Sequence, residues 1–369
     1  MSPSPPSSAA VIDLDDVDGL LGADREGLLR AAAMAGAQVR ATAAALEEGE
    51  LEPLRADGPP RTVVWVATRG PAETAGSLLA AVLGSALAAP IVVVAEVPNW
   101  IGPLDVLIIA GDDPADPALV TAAGTGTKRG ARVAVIAPYE GPLRDVAAGR
   151  AVPLPPRVWV REEFGLARYL AAGLAALQVV DPNLRVDLAA MADELDAEAL
   201  RNSAGRELFT NPAKALADKM TDREVVLAGD TPATLGLARH GAAILLRIAH
   251  QAVAAVGLAD ALAALHTGLG GLTAADRERS IFHDEQIDGP LPRRVRTFVL
   301  ATDTERSVVA ARVADLDGVD VLTAEDVPEL PESAGQPTAA TAAGRVEQQL
   351  AMLAVRLEMT AVYLRLIRG

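Results

Sequence analysis

Residues 104–118 read LDVLIIAGDDPADPA, and the fold of the chain follows from this stretch. Positions 106–110 form a short apolar run rich in β-branched residues, bounded by Gly111 and two prolines, which is the pattern of a buried strand. Asp116 followed by Pro117 predicts a helix start, with Asp as N-cap and Pro at the first helical position. A strand that passes through a loop into a helix N-terminus is where open α/β sheets bind anions. This loop carries Asp112, Asp113 and Asp116 and no lysine, arginine, serine or threonine. A place shaped for an anion is filled with anions.

Working outward, strands are predicted at 62–67, 91–95 and 132–137, with a shorter one at 157–160. Helical patterns lie between them at 71–86, 117–129 and 163–179. Strands alternating with helices imply a parallel sheet covered on both faces, a first domain over residues 24–180. Its opening stretch, 24–48, has helical spacing and is read as one helix capped by Asp24. Residues 1–23, beginning MSPSPPSSAA without a positive charge before an apolar core, are read as a disordered tail and not a signal peptide. The stretch 181–223 reads as a connection between domains, with helices at 186–204 and 211–220. A second α/β unit, 224–369, then starts over. It has strands at 224–228, 296–301 and 319–322 and helices at about 233–256, 259–266, 305–314 and 339–368. The fold class is thus α/β, two tandem doubly wound parallel sheets with flanking N- and C-terminal helices.

Composition sets the outer limits. A chain of 369 residues, half of them hydrophobic, is long enough for two buried cores. Aromatic residues make up only 3%, so those cores are built of Ala, Val and Leu. There is no cysteine, which excludes disulfides and thiolate metal sites. The net charge of −16 argues against nucleic acid as a partner. No segment supplies the roughly 18 uninterrupted apolar residues of a membrane span. A cytoplasmic protein is the default expectation.

Four short motifs carry a resemblance. They are NPAKALA at 211–217, TAVYL at 360–364, KRGA at 128–131 and GPL at 141–143. Together and in this order they resemble the two-domain sugar isomerase (SIS) proteins of the bifunctional phosphoglucose/phosphomannose isomerase family, nearest to the actinobacterial TobH-like branch. The resemblance implies tandem SIS domains, a sugar-phosphate ligand, aldose–ketose isomerase activity without a cofactor or metal, and assembly as a homodimer or with a partner enzyme.

The family's functional motifs are where the chain departs. Its first glycine-rich loop falls on residues 68–74, where Gly70 is kept, Gly76 follows, and Ala72 replaces the phosphate-contacting serine. Its second, hydroxyl-rich loop falls on residues beginning at Ala110, and the hydroxyl positions become Ala110, Asp112, Ala115 and Ala118. The loop's glycine becomes Asp113, and Pro114 removes a backbone donor. Arg69, Gly70, Gly111, Asp112 and Asp113 are therefore the candidate ligand-binding residues. Two like charges about 4 Å apart cost about 4 kcal/mol at an effective dielectric of 20. A charge-assisted hydrogen bond returns roughly 1.5–3 kcal/mol, and a helix N-terminus at most about 2 kcal/mol. A phosphate beside Asp112 and Asp113 is repelled unless a cation intervenes. The plainer reading of these aspartates is as turn and cap residues facing water.

Aligning Arg247 and Gln251 to the family's helix motif puts Ala254 where the resemblance implies the catalytic glutamate, and alanine cannot move a proton. His266 lies near the position of the family's ring-opening histidine, or is an ordinary helix-end residue. His283 and Glu285 in SIFHDEQIDG are a second possible acid–base or cation-binding pair, against a solvated loop. GTGTK at 124–128 ends a helix and so is not a phosphate loop. Lys214 reads as part of the inter-domain connection. Two functions stand at this point: a scaffold that has lost its isomerase chemistry and works by binding a carbohydrate derivative or a partner, or an active phosphosugar isomerase with a remodelled site.

Overall fold

The computed structural model describes residues 12–269, 294–325 and 345–368. Helices α1 (Val17–Ala23), α2 (Leu28–Ala32) and α3 (Ala35–Glu47) precede the first sheet. Of the expected disordered tail, residues 17–23 are therefore a helix, with the Asp16 side chain capping it at Gly19 N. The single helix expected over 24–48 is divided. Asp24 does cap, accepting from Leu28 N and Leu29 N at 2.7 and 3.0 Å, but the chain turns at Gly27 (φ +67°) and again between Ala32 and Ala35.

β1 (Thr62–Val66), α4 (Gly70–Leu83), β2 (Ile91–Val94), β3 (Asp105–Ala110), α5 (Pro117–Lys128), β4 (Arg132–Ile136), α6 (Gly141–Ala147), β5 (Val152–Pro153) and α7 (Leu166–Val180) make the first α/β unit. All its strands are parallel, in the order β2-β1-β3-β4-β5. Successive side chains point to opposite faces of a strand. Val63, Trp65, Val106 and Ile108 accordingly pack with α4 and α7, and Val64, Val66, Leu107 and Ile109 with α5 and α6. With both faces covered, β1 and β3 are buried along their whole length. The strand expected at 157–160 is not there. The chain pairs with β4 at Val152 and Pro153, and Pro155 and Pro156, which have no N–H to give, end the ladder.

α8 (Leu188–Arg201) and α9 (Pro212–Met220) lead to the second sheet, built from β6 (Glu224–Gly229), α10 (Pro232–Ala249), β7 (Ala254–Gly257), α11 (Leu258–His266), β8 (Val295–Leu300), α12 (Asp303–Val313) and β9 (Val319–Leu322). It too is parallel, in the order β7-β6-β8-β9. The helix expected to run to 256 stops at Ala249, where His250 takes a left-handed conformation (φ 53°) and turns the chain into β7.

The last described helix, α13 (Val346–Arg368), is buried nearly all round and packs on α8, α9 and α10. One hydrophobic cluster runs unbroken from Trp65 and α7 through α13 to Leu227 and Phe298, so the two sheets share a core. No helix among the described residues is long and apolar enough to cross a membrane.

Candidate functional site

In the first sheet the chain leaves β1 toward β2 on one side and re-enters at β3 on the other. The crevice between the C-terminal ends of β1 and β3 is thus the point where the strand order reverses, the usual ligand position in such sheets. Arg69, Gly70, Gly111, Asp112 and Asp113 meet here, joined by Thr68, Asp116 and Glu162. Gly70 opens α4 at φ +65°, a conformation that a side chain would strain. The crevice as it stands has about 20 Å³ of free space, the size of a water site.

Each acidic side chain of the crevice has a partner within the protein. Asp116 caps α5 by accepting from Ala118 N at 2.8 Å, and Thr68 Oγ1 donates to its other oxygen at 2.9 Å. Asp113 closes a turn by accepting from Ala115 N at 2.8 Å. These two fulfil the turn-and-cap reading. Glu162 accepts from Arg247 of α10, at 2.6 Å.

Asp112 does something else. Arg168 of α7 donates to it at 2.7 Å from a guanidinium that is almost wholly buried. The same guanidinium lies 4.1 Å from the centre of the Tyr169 ring. Burial pushes the Asp112 carboxyl upward in pKa, with the Arg168 charge opposing it. The Tyr169 hydroxyl is likewise driven up by burial. Among the described residues, Arg168 Nη1 and Tyr169 Oη complete no hydrogen bond.

Arg168 is the site residue that sequence reasoning missed. It lies 56 positions beyond Asp112, on a helix whose apolar pattern marks it only as core. A buried arginine inside such a helix was the available signal, since unpaired buried charge is too costly to keep. Arg69, by contrast, is exposed and forms no ion pair among the described residues.

The remaining candidates lie elsewhere. Ala254 is the exposed first residue of the edge strand β7, a few residues beyond the end of α10. His266 is exposed at the end of α11, its Nδ1 2.7 Å from Leu262 O of its own helix. His283 and Glu285 lie outside the described residues. Among the described residues no group of three His, Asp or Glu side chains is gathered as a metal ion would require.

Lys214 and Tyr363, from the two longest motifs, come together instead at the connection between the sheets. Lys214 Nζ donates to Ala204 O and Arg206 O at 2.8 and 2.7 Å, and Tyr363 Oη donates to Asn202 O at 2.6 Å.

Two tandem parallel sheets, with the strand order reversing between β1 and β3 and between β6 and β8, are a fold shared with solved phosphosugar isomerase structures. Two solved structures match it over nearly their whole length. Tagatose-6-phosphate ketose/aldose isomerase from Escherichia coli superposes with a TM-score of 0.60 at 15% identity, covering 99% of this chain and 96% of that one. The C-terminal domain of glucosamine-fructose-6-phosphate aminotransferase from Francisella tularensis gives 0.56 at 13% identity, over 95% and 96%. The likeness is one of fold. No protein-family model matches the chain, and no curated protein does.

Proposed function

We propose that this chain is a non-catalytic relative of the bifunctional phosphoglucose/phosphomannose isomerases, a SIS scaffold that acts by association and not by turnover. The observation that carries this reading is the pair Asp112–Arg168. Isomerisation of a sugar phosphate needs an anchor for the phosphate and a base to move a proton between adjacent carbons. At the crevice, the buried cation that could anchor a phosphate is held by an internal carboxylate. The carboxylates that could serve as base each accept from a backbone N–H, an arginine or a threonine hydroxyl of the protein itself. A carboxylate held by such bonds is already aimed at a partner within the protein.

The test is a coupled assay for interconversion of glucose 6-phosphate or mannose 6-phosphate with fructose 6-phosphate, at high concentrations of the full chain. The expected result is a rate equal to that of buffer, and no heat-shift with either sugar phosphate. Turnover that disappears in Glu162→Gln, His283→Ala or Glu285→Ala would establish the opposite reading, an active isomerase with a remodelled site.

A further inference from the structure

We propose that the hollow between α3, α7 and residues 154–158 binds a small monovalent anion of halide size, anchored by Arg168. The inference goes beyond the functional reading and does not depend on whether the crevice turns over a sugar. After β5 the segment LPPRV, 154–158, leaves the sheet and runs past Gln38, Ala41 and Thr42 of α3. Arg168 of α7 lines the hollow so formed, with a side chain only 9% exposed.

Its guanidinium is only half used. Nη2 donates to Asp112 in a single bond of 2.7 Å, where an arginine fork can give a carboxylate two. Nη1 is buried and meets no acceptor among the described residues, a costly state for a charged donor. The Tyr169 ring covers one face of the group, 4.1 Å away, so a further partner comes in along the N–H edge. Because Asp112 lines the crevice and Arg168 lines the hollow, one cation stands between two cavities.

Charge decides what that partner is. The hollow is lined by two arginines, Arg157 and Arg168, and by no carboxylate, in a chain whose net charge is −16. Arg157 is held by Glu48 and Glu50, which leaves Arg168 as the anchor. The neighbouring donors are spent, Gln38 Nε2 on Phe164 O at 3.0 Å and the Thr42 hydroxyl on Gln38 O at 3.2 Å. Pro155 and Pro156 have no N–H to offer. A buried N–H on a charged group gains more from an anion than from a neutral oxygen.

Size narrows the class. Free space inside the hollow is about 10 Å³, room for one particle near the size of a water molecule. A halide ion is little larger than that, whereas a tetrahedral phosphate is far too large. Asp112 and the halide then share one guanidinium, and each weakens the hold of the other by the same factor.

The experiment is chloride NMR line broadening by the full chain, competed with bromide, together with bromine anomalous scattering from crystals grown in sodium bromide. The wild type is expected to broaden the chloride line, and a bromine peak should lie beside Arg168 Nη1. Inorganic phosphate should not displace it. Arg168→Met removes the anchor and Ala41→Leu fills the hollow from α3; both are expected to abolish the broadening, with circular dichroism unchanged. Asp112→Asn removes the competing carboxylate and is expected to bind halide at least about 10-fold more tightly. Broadening that Ala41→Leu leaves intact overturns the proposal. So does a water in the hollow with no bromine signal, or an affinity that Asp112→Asn leaves unchanged. Turnover of a sugar phosphate with bromide seated in the hollow would overturn the functional reading above and leave this inference standing.

Discussion

The ammonium of Lys214 sits 5.7 Å from the centre of the Tyr363 ring, joining the start of α9 to the C-terminal part of α13. Asn211 and Asn202 complete the contact. Asn211 caps α9 by accepting from Lys214 N at 3.0 Å, and Asn202 Oδ1 accepts from Ala213 N at 2.8 Å. The lysine is thus a structural cation whose acceptors are carbonyls of the connection between the sheets.

Lys214→Met leaves those two carbonyls without a donor, and the expected loss is roughly 2–4 kcal/mol in urea unfolding. Tyr363→Phe keeps the ring and loses only the bond to Asn202 O, at about 1 kcal/mol. The double variant should fall short of the sum, because both groups fix the same segment. Additive losses would show that the two residues act separately.

Arg168→Met strands the Asp112 carboxylate in the crevice. The expected cost is about 2–3 kcal/mol, below that of a fully buried pair because Asp112 keeps 31% of its side-chain surface. Asp112→Asn retains an acceptor for the guanidinium and should cost about 1 kcal/mol or less. Equal losses from the two variants would contradict the view that the arginine's burial sets the energy of the pair.

Gly76 has a packing role inside α4. A Cβ there would lie 2.4 Å from Trp65 Cδ1, and the indole cannot retreat, since Gly173 and Leu79 close its other side and its Nε1 donates to Ala72 O at 2.9 Å. Gly76→Ala should destabilise by about 1–3 kcal/mol. Its readout is the Tm, with Trp65 fluorescence shifting as the ring moves.

Glu358 of α13 and His240 of α10 form a buried pair at 3.0 Å. Burial raises the Glu358 pKa against the influence of His240. The folded state then binds a proton more tightly than the unfolded chain. This contribution to stability is complete below the ordinary glutamate pKa of about 4.3 and is lost as pH rises through the elevated value. Chemical denaturation across that window should show stability declining with pH in the wild type, and a flatter profile in Glu358→Gln.

The sheets were legible because their strands are short β-branched runs closed by Gly and Pro, and because Asp116-Pro117 and Asn211-Pro212 mark helix starts plainly. β7 escaped because AAVG continues the helical spacing of α10, and only the backbone at His250 breaks it. α6 escaped because Gly141, at φ +52°, and Pro142 look like a turn and in fact open a helix. At the crevice the loop residues could be read from their place after the strands. Arg168 could not, since its role depends on which helix face meets Asp112, and that is a property of packing.

α13 also sets an order of events during synthesis. Gly241 of α10 lies between Leu227 of β6 and Leu357 of α13, so the outer side of α10 has its apolar cover only once α13 has emerged from the ribosome. Until then a nascent chain with both sheets already made still leaves leucine and alanine of α10 bare to water. The shared core can close only once α13 has been made.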